Sequence, residues 1–101
     1  MKHNAVCIIW EGHNYDMAAW LKDRAIARDI LGDGPHYVAQ YDLGIVVAAE
    51  ALPPEAVNMQ SLRFGELEDY GELEQEDQQN LKWEAVSDLN AIESIHPEWF
   101  G

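Results

Sequence analysis

The stretch GELEDYGELEQEDQ, residues 65–78, decides how the last third of this chain folds. It spells GELE twice, at Gly65–Glu68 and Gly71–Glu74, and between Glu66 and Asp77 it holds seven carboxylates and no basic residue. Two six-residue copies are too short to build a solenoid. Two local builds compete. In an extended chain, Glu66, Glu68, Glu72, Glu74 and Glu76 fall on one side and Leu67 and Leu73 on the other, because strand side chains alternate. Same-side carboxylates then stand about 6.7 Å apart, close to the spacing of phosphates along a nucleic-acid strand. In a helix, Glu68, Glu72 and Glu76 form a row repeating every ~6 Å.

The tetrad Asp69-Tyr70-Gly71-Glu72 speaks for the helix. It matches a capping box, in which Asp69 accepts from the amide three residues on and Glu72 reaches back. Glu72, Glu74, Glu76 and Asp77 then occupy the first turns of a last helix, where each well-placed negative charge is favourable by ~0.3–1 kcal/mol. Capping accounts for where the charges start but not for their number. Like charges at i, i+4 oppose one another by roughly a few tenths of a kcal/mol. A basic surface outside the chain would relieve that repulsion. So would Arg24 and Arg28 inside it, one turn apart on an upstream helix.

Downstream, Leu81, Ala85, Leu89, Ile92 and Ile95 recur at helical spacing, and Pro97 ends the pattern. Trp83 lies off that stripe. The tail, residues 97–101, ends in Trp99-Phe100, which can serve as exposed anchors or fold back over a sheet.

Upstream, residues 4–10, NAVCIIW, read as a buried strand ending at Glu11-Gly12-His13. Asn14 can cap a helix over residues 15–31, where Tyr15, Ala19, Ile26 and Ile30 share a face with Ala27 and Leu31. Gly32-Asp33-Gly34-Pro35 ends it. Residues 36–42 and 44–50 form a hairpin turning near Asp42–Gly44, although IVVAAEAL could also run as helix. Pro53-Pro54 forbids continuation and opens a short helix. The expected fold is α+β, a single domain over residues 1–101. It has a small three-stranded, at least partly antiparallel sheet in β-α-β-β-α order, with helices packed mainly on one face.

Charge narrows the function. Six basic and 19 acidic residues give a net of −13. Residues 1–49 carry four basic and six acidic residues, a net of −2, and residues 50–101 carry two and thirteen, a net of −11. Such a field repels nucleic acid and anionic membrane and draws in basic protein surfaces. The single cysteine, Cys7, precludes an intrachain disulfide, and AVCIIW is too short for a membrane span or a signal-peptide core. A cytoplasmic protein is expected, in the host cytoplasm if phage-encoded.

Chemistry-bearing patterns are sparse. The calcium-loop pattern D-x-[DN]-x-[DN]-G is absent, and His3, His13, His36, His96 and Cys7 show no zinc spacing. The histidines read as surface or turn residues. Cys7 sits in an apolar strand, where a thiol is an inert small hydrophobe. Ser61, Ser87 and Ser94 lie in no nucleophile motif. No metal, cofactor or catalytic residue is therefore expected.

In size and charge the chain resembles small acidic inhibitor proteins, namely phage anti-restriction and anti-CRISPR proteins and nuclease immunity proteins. That resemblance implies carboxylates seated in a basic cleft built for phosphates. The expected function is non-enzymatic inhibition of a nucleic-acid-binding protein or nuclease. The binding residues expected for it are Glu66, Glu68, Asp69, Glu72, Glu74, Glu76 and Asp77, with Tyr70, Trp83, Trp99 and Phe100 as aromatic anchors. The alternative is an acidic assembly module that oligomerises through exposed aromatics, with a homodimer possible.

Overall fold

A computed structural model describes residues 3–10, 14–41, 43–63 and 65–101. Six strands form one mixed sheet: β1 (Ala5–Ile9), β2 (His36–Tyr41), β3 (Gly44–Ala48), β4 (Asn58–Arg63), β5 (Glu66–Glu72) and β6 (Glu84–Val86). Their order across the sheet is β5-β4-β1-β3-β2-β6. The pair β1/β4 is parallel, and the remaining neighbours are antiparallel. Three helices complete the fold: α1 (Met17–Leu31), α2 (Gln75–Asn80) and the single turn α3 (Ile92–Ile95).

The β-branched run of β1 makes it the centre of the sheet. Every residue of β1 and β3 is buried, as strands covered on both faces must be. One face packs Val6, Ile8, Ile45, Val47 and Leu62 against Trp20 and Ala27 of α1 and against Leu89 and Ile92 near the C-terminus. The opposite face packs Cys7, Ile9, Val46 and Met59 under Leu73 and Leu81, which flank α2. Full burial of each Val, Ile or Leu is worth about 1.5–3 kcal/mol. Gly44 is the close point of this layer, because a Cβ there would sit 2.0 Å from the Ile8 carbonyl oxygen.

The expected three-stranded sheet in β-α-β-β-α order is thus corrected to six strands, and helices lie on both faces. Three strands account for the difference. The prolines open only one 3-10 turn, Pro54–Ala56, and the chain then enters β4 beside β1. The acidic stretch runs as β5 instead of capping a helix; Asp69 lies inside the strand, opposite Gln60. The expected helix through Leu81–Ile95 is divided. Leu81 packs on one face of the sheet, β6 passes along its edge, and Leu89 and Ile92 pack on the other. Asp88 enforces the break by accepting from the Asn90 amide at 2.6 Å, which starts a new 3-10 turn.

The cap of α1 also moves. Asp16, and not Asn14, accepts from the Ala19 amide at 3.0 Å. Tyr15 is extended instead and pairs with Phe100 in a parallel bridge, which ties the tail to the helix entrance. The turns expected at Glu11-Gly12-His13 and at Asp42 lie outside the described residues.

Candidate functional site: an acidic sheet edge

β5 is held by β4 on one side only. Register places Glu66 opposite Arg63, Leu67 opposite Leu62, Glu68 opposite Ser61 and Asp69 opposite Gln60. Leu62 belongs to the α1 face, so Leu67 and Asp69 share that face, and Glu66 and Glu68 project from the other. The register then slips: Asp69 and Gly71 face the adjacent pair Gln60 and Met59, and Tyr70 is the extra residue of a β-bulge. Gly71 takes φ 84°, a left-handed conformation that suits glycine.

The bulge breaks the continuous carboxylate row expected of an extended build. Glu66 and Glu68 alternate regularly and are exposed, as is Glu72 beyond the bulge. Leu73 then turns down into the core, and Glu74 precedes α2. Glu76 and Asp77 stand in the first turn of that helix, where their charge suits the free amides. Asp77 is half-buried, and its charge reaches inward. Burial raises the Cys7 thiol to about 12 with Asp77 adding to it, so this thiol stays protonated and inert.

The internal-pairing alternative goes elsewhere. Arg24 pairs with Glu93, which also accepts from Trp20 Nε1 at 2.9 Å. Arg28 pairs with Asp33 at 2.9 Å and lies 4.0 Å from Asp88. Both arginines thus clamp α1 to its own C-terminal loop and to the C-terminal segment. Within the acidic strand, Asp69 meets His3 Nε2 at 2.7 Å.

The aromatic residues divide. Tyr70 is 39% exposed, and its hydroxyl lies 3.3 Å from that of Tyr41 with the rings edge-on at 6.5 Å. Three strands separate β5 from β2, about 19 Å on a flat sheet, so this contact requires the sheet to curl. Burial first, and the Tyr70 hydrogen bond second, raise the pKa of Tyr41. Trp83 packs on the core beside α2 and donates Nε1–H to the Leu52 carbonyl at 2.8 Å. Trp99 and Phe100 fold back against the α1 face, with Phe100 5.3 Å from Trp20. Of the aromatic anchors named from sequence, Tyr70 lies on the acidic edge, whereas Trp83, Trp99 and Phe100 serve the core.

Two polar groups escaped sequence reading. His96 stacks on Trp99 at 3.8 Å, with Nε2 2.5 Å from Glu84 and Nδ1 2.9 Å from Glu98. Burial lowers its pKa, but the two carboxylate hydrogen bonds outweigh that and raise it. The ring thereby fastens the last turn of chain to β6. His36 is buried, not superficial, with Nε2 2.9 Å from the Gly32 carbonyl oxygen. The roles of Glu93 and His96 depend on Arg24, Trp20 and Glu84, which other elements supply and spacing along the chain does not reveal. Among the described residues, no group of three or more His, Cys, Asp or Glu is placed to hold a metal ion, and no helix is long and apolar enough to cross a membrane. No family model, curated protein or solved structure matches the chain.

Proposed function

We propose that this chain is a non-enzymatic binding protein whose acidic edge occupies a basic, phosphate-binding surface of a nucleic-acid-binding protein or nuclease. Inhibition of the anti-restriction, anti-CRISPR or immunity type would follow from that occupancy. The observation that carries the reading is the position of Glu66, Glu68, Asp69 and Glu72 on an exposed edge strand, while Arg24 and Arg28 are committed to other acids. Repulsion between these carboxylates falls when cations from outside approach, so binding and relief of strain act together. Long-range attraction speeds association, and Tyr70 and Leu67 supply apolar contact that slows release.

An assembly role through Trp99 and Phe100 has less support, because exposing them would strip rings from Trp20 and Tyr15. The test is capture of a partner from host extract on the immobilised chain, followed by affinity measurement across 50–500 mM salt. A basic nucleic-acid-binding partner whose affinity falls steeply with salt is expected. Salt-independent binding, or a partner without a basic surface, would overturn the reading.

A further inference from the structure

The open edge of β5 specifies more than a charge. Glu66–Asp69 keep regular register with β4, and β5 is the outermost strand on its side of the sheet. We propose that this edge receives an extended basic segment of the partner as an added strand, which rests on the binding role given above. Backbone amides and carbonyls would supply the pairing, and side chains would select the sequence.

Charges and bulges also guard edges against unwanted pairing. Here the guard is selective. A second copy of β5 would set carboxylates against carboxylates, and like charges directly opposite are destabilising. A basic strand meets the opposite condition. Residues facing Glu66 and Glu68 lie on the same side of the sheet as those carboxylates, about 4.5–5.5 Å away between Cβ atoms. The residue between them faces Leu67, which is 43% exposed on the other side. The complementary segment is therefore Lys or Arg, then an aliphatic residue, then Lys or Arg, in extended form. The bulge at Tyr70 and Gly71 ends the usable edge.

The test uses the intact chain and two probes of equal charge: the heptapeptide Lys-Val-Lys-Val-Lys-Val-Lys, and the same peptide N-methylated along its backbone. At low salt the first should bind, slow hydrogen exchange at those amides among residues 66–69 that face away from β4, and exceed the methylated peptide at least tenfold in affinity. Equal binding of the two would overturn strand addition and leave the acidic-surface reading standing. Failure of both to bind at low salt would sink both proposals.

Discussion

Asp23 is a buried carboxyl without a hydrogen-bond partner of good geometry among the described residues, and replacing it with asparagine should stabilise the fold at neutral pH. Its side chain is 0% exposed on the inner face of α1, between Trp20 and Ala27. Neither oxygen makes a hydrogen bond of good geometry with a described residue. Burial raises its pKa, and the nearby Gly65 amide offsets only part of that. The carboxyl thus sits beneath the turn that leads into β5. An unpaired buried polar group costs about 1–3 kcal/mol, and more when charged. Burial thus disfavours the ionised form of this carboxyl in the folded chain relative to the unfolded one. Asparagine keeps the shape and abolishes the titration, so Asp23→Asn should gain stability at pH 7 by about 1.36 kcal/mol for each unit by which burial raises the pKa. The sign follows from linkage. The folded pKa lies above the unfolded one, so the parent's full stability from this group is present below about pH 3.9 and is lost as pH rises through the folded value. The advantage of the variant should grow with pH and vanish near pH 4. Urea unfolding of both proteins by tryptophan fluorescence from pH 4 to 8 measures this difference, and the other carboxylates cancel in the subtraction. A pH-independent difference, or a variant less stable than the parent at pH 7, would refute the reasoning.

Two further perturbations follow. Gly44→Ala should destabilise by ~3 kcal/mol or more, since the added Cβ meets the Ile8 carbonyl oxygen in the centre of the sheet and backbone must move; a urea midpoint within experimental error of the parent would contradict the β1/β3 register. His96 has a raised folded pKa, so its contribution is fully present below about pH 6.5 and is lost as pH climbs through the folded value. A ring titration by NMR should therefore place the midpoint above 6.5, and His96→Gln should flatten the fall in melting temperature over that window.

How legible the fold was depended on which signal dominated each segment. β1 and the β2/β3 hairpin were readable from the apolar runs of β1 and β3 and the Leu43-Gly44 break, although the alanines after Val47 left a helix open there. α1 was readable in extent, but its buried stripe was not, because Asp23 occupies a core position that a polarity pattern assigns to solvent. Leu81–Ile95 misled for a physical reason. Leu81, Leu89 and Ile92 are all buried, yet on opposite faces of a sheet whose edge strand runs between them, and spacing along one helix cannot distinguish that case. β5 was hidden by its glutamates, which are depleted in strands generally but are tolerated on an exposed edge. The same feature kept the candidate site visible: the carboxylates stood out in sequence, and the fold adds where they point. Asp77, Trp83 and Phe100 show the converse, because their burial depends on contacts far along the chain.

The central claim is that position, and not bulk charge, makes the β5 edge the binding surface. Two triple variants separate these. Glu66→Lys/Glu68→Lys/Glu72→Lys and Asp29→Lys/Glu50→Lys/Glu55→Lys each add six units of charge, taking the net from −13 to about −7. All six positions are exposed, so folding can be verified by circular dichroism in both. The measurement is the affinity of each variant for the captured partner at one salt concentration. Loss of at least a hundredfold in the strand variant, with less than tenfold loss in the other, is the expected result. Equal losses in the two, or a strand variant that binds like the parent, would contradict the account.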